Sequence, residues 1–361
     1  MIAVVYGTRP EAIKLAPVVE AMRCRQLPVR VVCTGQHESL LDGAADLEPD
    51  DGLGLMHARQ QPGDFLPRCI EALYRLWSPP ISRPARVVVQ GDTATAFAAA
   101  LAAFHLQVPV AHVEAGLRSH DLTAPFPEEG YRQMISRIAD RHYAPTQRAL
   151  ENLLVEGIGM RRTTSILVTG NTSIDAAMRV GKSKSPFDPP YVLVTLHRRE
   201  AFGEPMRAVC RAIRKLAGTT RAGAAPLSFV VPMHPNPAAR AVIEEELAGS
   251  AHVSLIEPMP HEDLITVLRS AWCVLTDSGG IQEEAPAFGV PVLVARETTE
   301  RPEGIEAGAA LVVGYDEKVI VQTILGMRES PREYEAMWLP RMIYGDGQAA
   351  ERIAADLSSS T

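Results

Sequence analysis

Cysteine is scarce and scattered. The five residues Cys24, Cys33, Cys69, Cys210 and Cys273 form no CxxC pair and no metal-ligand spacing, which argues against a metal site or a disulfide framework. Cys33, Cys210 and Cys273 sit among apolar neighbours, as reduced core thiols do. The glycine fingerprint GxGxxG and the P-loop are both missing, so neither a dinucleotide site nor a Walker-type site is indicated. Basic residues are not in excess: 36 Lys and Arg stand against 43 Asp and Glu, a net charge of −7. That balance argues against nucleic acid as a partner, although local arginines can still receive a small anion. No apolar run reaches membrane-spanning length. The chain enters a strand-like run at Ile2, with no basic leader region and no cleavage site ahead of it. These absences point to a soluble, cytoplasmic protein without a membrane partner.

What is present is a regular alternation. At 361 residues and 46% hydrophobic content, the chain is long enough for two domains. Six short apolar runs occur in the first half: Ile2–Tyr6, Val29–Thr34, Val87–Gln90, Val110–Val113, His142–Pro145 and Ile166–Thr169. Six more follow: Tyr191–Leu196, Phe229–Met233, Val253–Glu257, Trp272–Thr276, Val292–Ala295 and Ala310–Val313. Most are continuous rather than alternating, as in strands covered on both faces, and helical stretches separate them. The expected fold is α/β, with two doubly wound Rossmann-like domains. The expected boundaries are 1–178 for the first domain, 179–345 for the second, and 346–361 for a last helix packing back on the first. A polar, Pro-rich stretch, 182–190, reads as the linker. Ligands of such sheets bind at the carboxyl ends of the strands. In a two-domain arrangement those ends are expected to face a central cleft.

The stretch 273–284 is the clearest motif. Cys273, Val274 and Leu275 read as a buried strand, Ser278-Gly279-Gly280 as a turn, and Ile281 onward as a helix. Backbone N–H groups and a helix dipole then converge where a phosphate would sit. The same pattern is also met by a plain Ser-capped turn. Charge of the same sign bars Glu283 and Glu284 from holding phosphate, but a carboxylate one turn into the helix suits a ribose. Other strand ends carry polar residues: Arg9 and Lys14 after the first, Asp92 after the third and Glu114 after the fourth. Taken alone, Asp92 is equally a helix cap, and Glu128, in a first helical turn, is equally structural. His197 and Arg301 complete the set in the second half. Phosphate lodging, several carboxylates and a histidine are the parts that proton transfer at carbon beside a phosphorylated leaving group needs.

Seven motifs, Gly7–Lys14, His112–Arg118, Pro127–Glu129, His197–Glu200, Asp277–Pro286, Glu300–Glu303 and Tyr344–Gln348, together resemble the non-hydrolysing UDP-N-acetylglucosamine 2-epimerases of bacteria, in order and along essentially the whole chain. The resemblance implies the two-domain glycosyltransferase-B fold and a reversible isomerase. It implies interconversion of UDP-N-acetylglucosamine and UDP-N-acetylmannosamine by anti elimination of UDP to 2-acetamidoglucal and re-addition. No metal and no cofactor is implied, and a homodimer is. By motif, Asp92, Glu114 and Glu128 resemble the catalytic carboxylates and His197 the active-site histidine. Arg9, Lys14, Met259, Leu264, Ser278, Gly279, Gly280, Glu284 and Arg301 fall at nucleotide-sugar contacts, with Met259 and Leu264 at positions where some relatives differ. A hydrolysing epimerase that releases free N-acetylmannosamine and UDP, and a UDP-sugar glycosyltransferase of the same fold, remain open alternatives.

The resemblance also implies a second, activating site for UDP-N-acetylglucosamine, lined by Gln36, Arg59, Glu128, Arg198 and His234. Here Glu38 and Ser39 stand where relatives commonly carry a cationic or amide side chain. Repulsion between two unit charges ~6 Å apart is roughly 0.7 kcal/mol in water and several-fold more in a partly closed site. A lost amide hydrogen bond adds on the order of 1 kcal/mol. Activation by substrate is therefore expected to be weak.

Overall fold

The computed structural model describes residues 1–36, 47–56, 62–160, 163–198, 201–219, 226–233 and 236–359. They form two compact units, Met1–Arg179 with Tyr344–Thr361, and Val180–Ile343.

The first unit runs β1 (Ile2–Tyr6), α1 (Arg9–Cys24), β2 (Val29–Cys33), β3 (Asp51–Gly52), α2 (Pro62–Trp77), β4 (Arg86–Gln90) and α3 (Ala94–His105). It continues with β5 (Val110–Val113), α4 (Glu128–Ile138), β6 (Arg141–Ala144), α5 (Gln147–Val155), β7 (Ser165–Val168) and α6 (Thr172–Arg179). Its sheet is parallel throughout, in the order β3-β2-β1-β4-β5-β6-β7. Alternation along β1 explains the continuous apolar run. Ile2, Val4 and Tyr6 enter one core with Leu15, Val19 and Met22 of α1, whereas Ala3 and Val5 enter another with residues of α2 and α3. Both faces are covered, so neither set can be polar. The sheet has seven strands among the described residues, not the six expected. The additional β3 is short and has no apolar residue.

The second unit runs β8 (Tyr191–Thr195), α7 (Glu204–Ala217), β9 (Ser228–Pro232), α8 (Pro237–Leu247), β10 (Val253–Ile256), α9 (His261–Ser270) and β11 (Cys273–Thr276). Then come α10 (Gly279–Ala287), β12 (Val292–Val294), α11 (Pro302–Glu306), β13 (Ala310–Val312), α12 (Glu317–Glu329) and a 3-10 helix, Pro331–Trp338. Its strands are also all parallel, in the order β10-β9-β8-β11-β12-β13. The Pro-rich stretch after Arg179 is bonded onto this unit. Arg269 Nη1 donates to the Val180 carbonyl at 2.8 Å, and the Ser185 and Tyr191 hydroxyls are 2.9 Å apart.

The last helix, α13 (Ala349–Ser359), belongs to the first unit, where Ile353 and Leu357 join the core beneath α1. Its N-terminal amides need acceptors, and Asp175 of α6 supplies them, taking the N–H groups of Ala349 at 3.2 Å and Ala350 at 2.8 Å. Among the described residues no helix is long and apolar enough to cross a membrane.

Strand order reverses between β1 and β4 in the first sheet and between β8 and β11 in the second. In open parallel sheets the ligand crevice opens beyond the carboxyl ends at this reversal. The turns after β1, β4, β8 and β11 are therefore where each unit is built to bind.

Candidate functional site

In the first unit, the turn after β1 is fixed by Glu11, the third residue of α1. Its Oε2 accepts the N–H of Gly7 at 3.0 Å, the N–H of Thr8 at 2.8 Å and the Thr8 hydroxyl at 2.8 Å. Its Oε1 accepts the Thr93 hydroxyl at 2.7 Å, which ties this turn to the one after β4. Burial pushes the Glu11 carboxyl up to about 7 against the lowering effect of these donors. The turn needs glycine at position 7, where a Cβ would lie 2.1 Å from Thr95 Oγ1. Arg9 opens α1, and Lys14 follows a turn and a half later on the same helix.

Lys14 Nζ lies 2.6 Å from Glu114 Oε2, and the Gln90 amide donates to the same oxygen. Glu114 is buried, and its φ of 64° is in the left-handed region, which disfavours any residue with a Cβ by roughly 1–2 kcal/mol. Strain of that kind at a strand end re-aims a side chain. Asp92, after β4, does not cap α3. Thr93 does, accepting the N–H of Ala96 at 3.0 Å, which leaves the Asp92 carboxylate to take a hydrogen bond from Arg132 Nη2. The buried carboxylate in the first turn of α4 is Glu129, which accepts from Ser119 N–H, Arg132 and Gln133. Glu128 beside it is half-buried.

His112 sets the Asp92 turn from below. Its ring is fully buried, and Nε2 lies 2.8 Å from the Gly91 carbonyl. Burial pushes its pKa down to about 3, with the neighbouring His142 adding to the shift. The ring is therefore neutral, and since a carbonyl only accepts, Nε2 carries the proton.

In the second unit the turn after β11 begins with Asp277, which is completely buried. Its carboxylate accepts the backbone N–H of His197 at 2.9 Å and of Arg198 at 2.9 Å, and lies 3.0 Å from His197 Nδ1. The loop after β8 is thus moored to the turn after β11. Ser278 caps α10, taking the N–H of Ile281 at 3.5 Å. The helix begins at Gly279, two residues before the expected Ile281, so both glycines lie in its first turn. A Cβ at Gly279 would sit 2.7 Å from Arg301 Cζ, so the glycine lets that guanidinium lie on the helix N-terminus. Glu284, one turn along, lies 3.3 Å from His261 Nε2. Met259 and Leu264 are half-buried, in and after the loop that precedes α9.

The structure thus brings Lys14, Asp92 and Glu114 to one end of the first sheet, and His197, Ser278, Gly279, Gly280 and Arg301 to one end of the second. Gln36 is engaged within its own unit, its Oε1 accepting the N–H and hydroxyl of Thr95 at 3.2 and 2.9 Å. Arg59 and His234 lie outside the described residues, as do Glu38 and Ser39. Gln90, Arg132, Asp277 and Glu300 are absent from the sequence-derived set although each bonds one of its members. Position gave a hint for all four: Gln90 closes a strand, Arg132 stands one helical turn after Glu128, and Asp277 and Glu300 each open one of the seven motifs.

A sequence model described as UDP-N-acetylglucosamine 2-epimerase matches residues 20–358. The UDP-N-acetylglucosamine 2-epimerase of Bacillus subtilis is 43% identical, over 98% of this chain and 93% of its own. That of Escherichia coli K12 is 40% identical, over 99% of this chain and 98% of its own. Among solved structures, UDP-GlcNAc 2-epimerase from Neisseria meningitidis bound to UDP-GlcNAc superposes with a TM-score of 0.90 at 36% identity, covering 99% of both chains.

Proposed function

The chain belongs to the UDP-N-acetylglucosamine 2-epimerase family, and from that premise we propose that it is the non-hydrolysing kind of enzyme, interconverting UDP-N-acetylglucosamine and UDP-N-acetylmannosamine through 2-acetamidoglucal. It is an isomerase with the family's fold, two doubly wound α/β domains of the glycosyltransferase-B class. The observation that carries the mechanism is the pair of carboxylates at neighbouring strand ends, Asp92 after β4 and Glu114 after β5, each held by a cation.

Inverting a carbon by proton transfer takes one group to remove the C2 proton and another to deliver one to the opposite face. No carbonyl adjoins C2, so the proton is weakly acidic and the C1–O bond must loosen early, with oxocarbenium character. Charge then develops on the departing diphosphate. In this reading Arg301, the N–H groups of Gly279 and Gly280 and the Ser278 hydroxyl receive that charge, while Glu284 accepts from the ribose hydroxyls and Met259 and Leu264 border the nucleotide. Arg9 and Lys14 add positive charge at the first sheet. Asp92, Glu114 and Glu128 share the proton transfers, and His197, oriented by Asp277, serves as a proton donor or diphosphate contact. This chemistry uses neither metal nor nicotinamide. The same reading makes the enzyme a cytoplasmic homodimer whose partners are its two UDP-sugars and UDP.

Proton NMR of the enzyme with UDP-N-acetylglucosamine in deuterated water tests it. The expected product is UDP-N-acetylmannosamine carrying deuterium at C2. Unlabelled product would rule out elimination. Free N-acetylmannosamine with UDP would mark a hydrolysing enzyme, and transfer to an added acceptor a glycosyltransferase.

Regulation gives a second measurement. The resemblance assigns a second site to Gln36, Arg59, Glu128, Arg198 and His234, and with Glu38 and Ser39 following Gln36 in sequence the initial rate from UDP-N-acetylmannosamine alone is expected to be substantial. A reaction silent until a trace of UDP-N-acetylglucosamine is added would restore full activation by substrate.

A further inference from the structure

Three guanidinium groups converge on one carboxylate in the second unit. Glu300 Oε1 accepts from Arg301 Nη1 at 2.6 Å and Arg198 Nη2 at 3.2 Å, and its Oε2 accepts from Arg296 Nη1 at 2.6 Å. The arginines come from two loops: Arg198 follows β8, whereas Arg296 and Arg301 stand on either side of Glu300 in the loop between β12 and α11. Glu300 is 5% exposed. Burial pushes its carboxyl up, but Arg301, Arg296 and Arg198 outweigh that and hold it below the usual carboxylate range. The carboxylate is therefore ionised at neutral pH.

Arg301 is held by two carboxylates. Its Nε donates to Glu283 Oε1 at 2.6 Å while Nη1 is held by Glu300. The two carboxylates grip the fork on adjoining edges and press its plane onto Gly279 at the start of α10. A lone guanidinium on a long side chain has many rotamers, and fixing it beforehand removes the ordering loss that ligand binding would otherwise carry.

We propose that Glu300 is a positioning residue that fixes the Arg301 guanidinium against the N-terminus of α10, and so sets the affinity for the diphosphate of UDP. The inference rests on the reading that this helix N-terminus receives UDP. Arg198 and Arg296 serve as the counter-cations that let a carboxylate remain charged while buried beside an anion site.

Charge alone and positioning predict opposite signs. Glu300 carries the wrong charge for a diphosphate, so if it acted only through its field, removing it would tighten UDP binding. If it acts by holding Arg301, removing it frees the guanidinium and weakens binding. Calorimetric titration of UDP into Glu300→Gln decides between them, since Gln keeps the shape and one acceptor but loses the charge. The expected result is affinity about 10- to 100-fold weaker than wild type, with circular dichroism unchanged. Equal or tighter binding by a folded Glu300→Gln would overturn the proposal. Should that variant not fold, Glu300→Asp carries the test. It preserves the charge but draws the carboxylate back by one methylene from the Arg301 guanidinium it holds at 2.6 Å. A several-fold loss of UDP affinity is expected, and unchanged affinity would overturn the proposal. If wild type itself binds no UDP, the underlying reading fails. If wild type binds and the folded variant binds equally well, the positioning role alone fails.

Discussion

Glu114→Gln is expected to lower kcat by about 10²- to 10⁴-fold, the range that a positioned general acid or base contributes, and to leave UDP affinity near wild type. Glutamine fits the same space, so the local fold can persist. The Lys14 ammonium and the Gln90 amide both donate to Oε2, and an amide oxygen turned to that place can still accept from them. What disappears is the capacity to take a proton. Lys14 also loses its counter-charge, but its side chain is 14% exposed, so water and small ions can partly replace it, and a modest fall in melting temperature is expected. The measurement is steady-state kinetics beside calorimetric UDP binding. A variant within threefold of wild-type kcat would remove Glu114 from the proton-transfer set. Collapse of kcat together with UDP affinity would show instead that the variant disturbs more than proton transfer.

Asp92→Asn makes a useful neighbour to that experiment. Asp92 bonds Arg132, and Arg132 in turn bonds Glu129, so the carboxylate is one link of a chain across α4. Its replacement is expected to disturb both the charge and the aim of this end of the sheet.

The apolar runs were legible because both sheets are covered on both faces. The expected strands β1 and β5 match residue for residue, and the other apolar runs fall on strands with ends shifted by a residue or so. Asp51–Gly52 escaped because nothing apolar makes it a strand. It is held at the sheet edge by side chains: Asp50 Oδ2 accepts the N–H of Val31 at 2.7 Å, and the Asp51 carboxylate pairs with Arg30. A pattern that searches for hydrophobic runs cannot find an edge strand held by carboxylates. The candidate site was legible for a related reason. A carboxylate directly after an apolar strand has few structural uses at a buried sheet end, which singled out Glu114, whereas Asp92 read equally as a helix cap and His197 stood out by the motif it shares with the family. The partners of those residues were not legible. Lys14 and Glu114 are 100 positions apart, Asp92 and Arg132 are 40 apart, and His197 and Asp277 are 80 apart. Only the parallel sheet order, which places β1, β4 and β5 side by side and β8 beside β11, brings them into contact. The two readings of Asp92 separated on one bond: Thr93 takes the capping role, so Asp92 is not needed for it.

Gly116→Ala is expected to destabilise the first unit by roughly 3–6 kcal/mol, summing about 1–3 kcal/mol for the forced contact, about 1–2 kcal/mol for the backbone conformation and about 1 kcal/mol for a strained hydrogen bond. Gly116 lies two residues beyond Glu114 with φ of 92°, a region that L side chains rarely adopt. A Cβ there would stand 2.1 Å from the Ala149 carbonyl oxygen and 2.7 Å from its carbon. These are backbone atoms of α5, so no rotamer change relieves the clash, and either the helix or the turn must move. The move also strains the bond from Asn152 Nδ2 to the Gly116 carbonyl, now 2.9 Å. Gly7→Ala is the informative comparison. Its Cβ would meet Thr95 Oγ1 at 2.1 Å, Thr34 Oγ1 at 2.4 Å and Thr95 Cβ at 2.9 Å, so turning the hydroxyls relieves only part of the clash, but the backbone there is not in the left-handed region and no main chain is struck, so a smaller loss is expected. For a domain of this size, a few kcal/mol corresponds to a melting temperature lower by on the order of 10 °C. Thermal melts of both variants, with kcat measured well below the transition, read the two consequences separately. Because the turn that carries Gly116 also aims Glu114, Gly116→Ala is expected to lose activity even where it remains folded. A variant that melts within two degrees of wild type would show that the turn and α5 have room to separate, and would remove the steric argument for glycine at this position.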